Sequence, residues 1–174
     1  MIISTADDMR VLGECIGKKA QTGMIIILDG PLGAGKTTLT QGIAQGLGIN
    51  QRIQSPTFTI MRFYDNDTSA PDLLHVDAYR LATEEEIDDL DLDYFLERSI
   101  GVMEWGRGKV EHLSSDIVYV EISRSQIFSP IDGGMSVDEV NNEERHVCFS
   151  ADSPHMKQWC EDVEKMWKEK NTDA

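Results

Sequence analysis

Between residues 6 and 20 the apolar side chains Met9, Leu12, Ile16 and Ala20 recur at steps of three and four, which predicts an amphipathic helix. Met24 to Leu28 is an unbroken apolar run, the pattern of a strand buried on both faces. From Lys36 onward Leu39, Ile43 and Leu47 repeat every four residues until Gly48, which predicts a second helix with a glycine stop. The segments TFTIMRFY at 57–64 and DLLHVDAY at 72–79 read as strands; the polar DNDTSAP between them predicts an antiparallel hairpin.

Thr83 and Glu86 have capping-box spacing and open the acidic run EEEIDDLDLDYFLE, which reads as a solvated helix face. IGVMEW at 100–105 and DIVYVEIS at 116–123 are again strand-like, joined by a short connection compatible with a helix. The pattern dissolves over 124–144, read as an irregular insertion, and returns in RHVCFSA, a last strand. Ser153 and Pro154 suit an N-cap and first helical position, and Met156, Trp159, Cys160, Val163, Met166 and Trp167 then form one apolar stripe, so a C-terminal helix over 153–170 packs on the core. Strands alternating with helices predict an α/β fold with a mainly parallel central sheet, flanking helices and one antiparallel hairpin.

A chain of 174 residues is the size of one domain, 1–174, and buries a core without disulfides. No apolar run approaches the roughly 20 residues of a membrane span, and two aspartates near the N-terminus replace the basic residues of a secretory leader. The expected location is cytoplasmic, with no membrane partner. Cys15, Cys148 and Cys160 are isolated from one another, with no zinc-ligand spacing, and read as small hydrophobes. A formal net charge of −15 argues against direct grip on a nucleic-acid backbone, which requires clustered cations.

The chemistry sits between the first long strand and the second helix, in GPLGAGKTT at 30–38. Gly30, Gly35, Lys36 and Thr37 satisfy G-x-x-x-x-G-K-[ST] in the strand-to-helix context this pattern needs. Phosphate oxygens crowd negative charge into a small volume, so backbone N–H groups must turn inward around them. Gly30, Gly33 and Gly35 permit that turn, and the helix start adds unpaired donors and a positive dipole end. Lys36 is placed to meet the outer phosphates, and the Thr37 hydroxyl to bind Mg²⁺. Further oxygen ligands, and a group to orient the attacking water, are expected at neighbouring strand ends. Asp77 closes LLHV and Glu104 closes IGVM; either suits the metal, with the other aligning the water. Thr57, in SPTF, is a candidate phosphate sensor. Arg80 more simply pairs with the acids at 84–86, and His75 more often sits satisfied in a core than acts as a base.

In order, LDGPLGAGKTTLTQGIAQGLG, SPTFTI, HVDAYRL and VMEW resemble the bacterial TsaE family, also called YjeE, over about residues 5–123. The resemblance implies a P-loop ATPase using ATP/ADP and Mg²⁺. It implies support for a complex of TsaB and TsaD that forms threonylcarbamoyladenosine (t6A) at position 37 of tRNA, with tRNA met only indirectly. It also implies a phosphate loop of Leu32, Gly33, Ala34, Gly35, Lys36, Thr37 and Thr38, with Thr37 and Glu104 on the metal. Asp77, Lys36 and Thr57 would then serve hydrolysis. Pro31 departs from the acidic residue of many members, and 125–144 looks longer than usual. A small-molecule kinase and a nucleotide-dependent binding switch with little turnover are the alternatives; the scattered arginines disfavour the kinase, and no N-K-x-D motif supports a GTPase.

Overall fold

The computed structural model describes residues 1–124 and 144–172. Within these residues seven strands form one sheet: β1 (Ile2–Ile3), β2 (Ile25–Asp29), β3 (Met61–Tyr64), β4 (Asp72–Asp77), β5 (Ser99–Glu104), β6 (Ile117–Arg124) and β7 (Arg145–Ser150). Their order is β1-β7-β6-β2-β5-β4-β3. The four central strands are parallel, β3 adds antiparallel to β4 as the expected hairpin, and β7 and β1 make the other margin antiparallel as well. Among the described residues five α-helices flank the sheet: α1 (Ala6–Lys19), α2 (Lys36–Leu47), α3 (Glu84–Asp88), α4 (Leu92–Leu96) and α5 (Pro154–Thr172).

Alternation along the buried strands divides the core in two. Ile26 and Leu28 of β2 face one layer with Leu12 and Ile16 of α1, Leu39 and Ile43 of α2, and Trp159 and Val163 of α5. Ile25 and Ile27 face the other, with Ile87, Leu92 and Leu96 of α3 and α4. The apolar stripe of α5 is therefore core, with Met166 and Trp167 packed at its margin.

Two segments differ from expectation. Residues 57–60 form a turn, in which the Thr59 and Ile60 N–H groups both donate to the Pro56 carbonyl, at 2.9 and 2.7 Å, and Ile60 has φ 67°. The strand begins only at Met61. The acidic helix is broken into α3 and α4 at Asp91, with φ 50°. Ile87 and Leu92 are five residues apart, about 140° on a continuous helix, so the break is what lets both reach the core. The predicted insertion lies almost wholly outside the described residues.

Helix α2 is held unusually close to α1. A Cβ built on Gly13 would stand 2.7 Å from the Gly42 Cα, and one on Gly42 would stand 2.9 Å from the Arg10 Cα. Neither position has room for a methyl group, so backbone packs on backbone. That contact fixes the helix whose first turn completes the glycine-rich loop at 30–38.

Candidate functional site

Strand β2 delivers the loop and β5 and β4 deliver the acids, and register aligns all three. Leu28 pairs with Glu104, and Glu104 with Asp77, so both carboxylates stand beside the loop at the C-terminal ends of adjacent parallel strands. This is the crevice where open α/β sheets bind ligands. A cavity of about 530 Å³ opens there, lined by the expected Leu32, Gly33, Gly35, Lys36, Thr37, Thr38, Thr57, Asp77 and Glu104. Gly30 and Ala34 do not line it; Ala34 is buried, and its N–H bonds the Pro31 carbonyl at 3.1 Å.

Gly35 caps α2 with φ 111°, a conformation that strains any residue with a Cβ. The helix opens with no side-chain cap, which leaves its first-turn amides for a ligand. Lys36 is 6% exposed; its ammonium donates to the Gly30 carbonyl at 2.8 Å and the Pro31 carbonyl at 3.2 Å, and lies 4.6 Å from the centre of the Trp105 ring. Burial pulls the Lys36 pKa below the ordinary lysine value, with Glu104, Asp77 and Asp29 pulling the other way. Asp29, at the base of the loop, is itself taken by Arg107 at 2.6 Å, so its charge is offset.

Asp77 and Glu104 are 6% and 4% exposed. Among the described residues neither is ion-paired to a lysine or arginine. Asp77 Oδ2 accepts from the Thr57 hydroxyl at 2.8 Å, Asp77 Oδ1 accepts from the Tyr79 N–H at 3.1 Å, and Glu104 Oε1 meets His75 Nε2 at 3.0 Å. Ser55 Oγ extends the chain, 2.7 Å from Thr57 Oγ1. The turn at 57–60 is what swings the Thr57 hydroxyl onto Asp77, and the Asp77 N–H bonds the Ile60 carbonyl at 2.8 Å to lock the same corner. Arg80, expected to pair with nearby acids, instead stands 5.7 Å above the Phe58 ring.

The residues fit a magnesium nucleotide. Two buried carboxylates beside a polyphosphate repel it unless a cation intervenes, and the local donors are the oxygens that Mg²⁺ prefers. Among the described residues no three His, Cys, Asp or Glu side chains converge to cage a metal. A cation bound here would draw on one or two carboxylates and the Thr37 hydroxyl, with phosphate oxygens and water completing its shell.

Ser55, Tyr79, Trp105 and Arg124 carry site contacts that the sequence reading did not assign. Trp105 follows Glu104 with φ 60° and packs edge-on against Tyr79 at 5.5 Å. Its signal was an aromatic directly after a strand-end acid. Arg124, at the end of β6, donates to the Leu32 and Gly33 carbonyls at 3.2 and 3.0 Å, bracing the tip of the loop. No local pattern marks such a residue, since sheet order alone brings β6 beside β2.

The profile of the family described as "Threonylcarbamoyl adenosine biosynthesis protein TsaE" matches residues 3–128. The chain is 45% identical over 140 residues to the tRNA threonylcarbamoyladenosine biosynthesis protein TsaE of Streptomyces coelicolor, covering 80% of this chain and 87% of that protein. It is 33% identical over 160 residues to the Bacillus subtilis protein of the same name, covering 91% and 89%. The crystal structure of Bacillus subtilis YdiB superposes with a TM-score of 0.69 at 27% identity, covering 95% of this chain and 93% of that one.

Proposed function

Since the chain belongs to the TsaE family, we propose that it is a Mg²⁺-dependent ATPase that binds ATP and ADP and supports the formation of t6A in tRNA. One observation carries this reading: Lys36, Thr37, Thr57, Asp77 and Glu104 meet on a single cavity at the ends of three adjacent parallel strands.

In the proposed mechanism the α2 amides and the Lys36 ammonium bind the phosphate chain, the lysine exchanging its carbonyl partners for phosphate oxygens. Thr37 and Glu104 would hold Mg²⁺, which when bound neutralises charge on the phosphates. Asp77 accepts a proton from, or orients, the attacking water, and Thr57 fixes the Asp77 carboxylate through its Oδ2. Trp105 and Tyr79 wall the cavity and limit access of bulk water. Catalysis of this kind is positioning and electrostatics, with little covalent work for the protein.

The partners proposed are TsaD and TsaB, with tRNA met through them; a surface of net charge −15 suits a protein partner better than a phosphate backbone. Leu32 and Tyr79 are 92% and 68% exposed at the cavity mouth, and Phe58 beside Thr57 is 86% exposed, which favours docking at that mouth and turnover that depends on it. Residues 1–174 act as one ATPase domain in this reading, and its place of work is the cytoplasm. Phosphate release from ATP, measured with the purified chain alone and with TsaB and TsaD, is the test. Release stimulated by the partners supports the proposal, whereas phosphate appearing on a small acceptor would replace it with a kinase.

A further inference from the structure

Strand β4 is apolar apart from its ends and one residue, His75, which is fully buried. Histidine in such a strand is costly: Nδ1 has no hydrogen-bond partner, a state that buried polar atoms rarely occupy. A leucine or valine there would avoid that cost. The return comes at the other nitrogen. His75 and Asp77 alternate onto the α2 face of the sheet, as do Val102 and Glu104 on β5. His75 pairs across the strands with Val102, one pleat behind Glu104. From there Nε2 reaches Glu104 Oε1 at 3.0 Å.

The tautomer follows from the partners. An ionised carboxylate only accepts, so Nε2 carries the hydrogen and donates it. Nδ1 then presents a bare lone pair to the core, not a stranded N–H. Glu104 is itself 4% exposed.

We infer that His75 is a positioning residue for Glu104: its Nε2–H holds one carboxylate oxygen, so that the carboxylate meets the cation of a bound nucleotide in one orientation. This rests on the proposed metal role of Glu104. A carboxylate that must swing into place loses rotamer entropy on binding the metal; one already held does not. Groups that orient metal ligands in this way typically govern metal affinity by about 10–100-fold.

Calorimetric titration of ADP, with and without Mg²⁺, tests the inference without relying on turnover. The quantity read is the factor by which Mg²⁺ tightens ADP binding. In H75L that factor falls by about tenfold or more, while metal-free ADP binding and the number of sites are unchanged. In H75Q, whose amide nitrogen reaches the place of Nε2, the factor is retained. H75N, whose shorter amide does not reach it, behaves like H75L and serves in its place should leucine not fold. E104A loses the factor as fully as H75L. An unchanged factor in H75L or H75N beside its loss in E104A overturns the role of His75, and so does equal loss in H75L and H75Q, which would make the effect one of packing. An unchanged factor in E104A removes the metal assignment itself, and the inference with it.

Discussion

Replacing Lys36 by methionine separates what the loop does for folding from what it does for a ligand. The Lys36 side chain is buried with its ammonium over the Trp105 ring, and a methionine of similar length fills that space with apolar atoms. Removal of the charge costs the fold little. Burial lowers the Lys36 pKa, so the folded environment disfavours the ammonium relative to water even with Glu104, Asp77 and Asp29 nearby. Its two carbonyl acceptors lie on half-buried Gly30 and exposed Pro31, where water can replace the ammonium. Lys36→Met is therefore expected to melt at the wild-type temperature or above it. Affinity moves the other way. One charge-assisted hydrogen bond to a phosphate is worth about 1.5–3 kcal/mol, so Mg·ADP binding weakens by roughly 10- to 150-fold. Scanning calorimetry and a titration on the same sample give both numbers. A clearly lower melting temperature would refute the argument that the charge is held at a cost, and affinity within about twofold of wild type would refute the phosphate assignment.

Thr57→Val keeps the shape of the turn and removes one donor to Asp77; hydrolysis in the most active condition is expected to fall about tenfold, from the loss of a hydrogen bond to a charged group, with ADP affinity unchanged, as a kcat measurement beside a titration would check. Gly42→Ala forces a methyl into the backbone of α1, which cannot rotate aside, so overpacking toward the upper end of about 1–3 kcal/mol outweighs the helix-propensity gain of about 1 kcal/mol. Its melting temperature should fall by several degrees, and an unchanged one would deny the tight contact. Among the thiols, exposed Cys148 reacts with iodoacetamide in the native protein, while buried Cys15 and Cys160 react only after unfolding, which mass spectrometry resolves. Burial pushes the Cys160 thiol up to about 11, so the folded state keeps its proton while the unfolded thiol ionises from the ordinary value of 9.0. Its contribution to stability is therefore full below pH 9 and is lost as pH rises through 11, and wild type should lose more stability than Cys160→Ala over that interval.

The glycine loop, the positions of both strand-end acids and the helices α1, α2 and α5 were legible in the sequence because their signals are local: a fixed spacing of glycines and lysine, an acid closing an apolar run, an apolar stripe at helical period. Thr57 was legible as a candidate but not in its setting. TFTI has the β-branched and aromatic composition of a strand, and the turn that overrides it exists to bring a hydroxyl onto an acid 20 residues away. The break at Asp91 likewise answers a demand of the core that helix propensity does not express. The sequence reads His75 as a satisfied core histidine; it is buried, but only Nε2 finds a partner, and that partner becomes visible only when strand register brings β4 beside β5. The antiparallel margin of β7 and β1 escaped notice because β1 is two residues long and takes its identity from its partner. Gly13 and Gly17 on α1, and Gly42 and Gly46 on α2, recur at four-residue spacing. That repeat was a usable sign of close helix packing within otherwise ordinary amphipathic patterns.

The claim on which everything else turns is that the amides and ammonium at the start of α2 hold the phosphates of a nucleotide, with a divalent cation between them and the strand-end acids. Titration of the wild-type chain with ADP in the presence and absence of Mg²⁺, and with adenosine as the phosphate-free control, tests it most directly. The account predicts one ADP per chain, tighter binding with Mg²⁺, and no measurable heat from adenosine. Absence of ADP binding to the folded chain, or equal binding of adenosine, would contradict it.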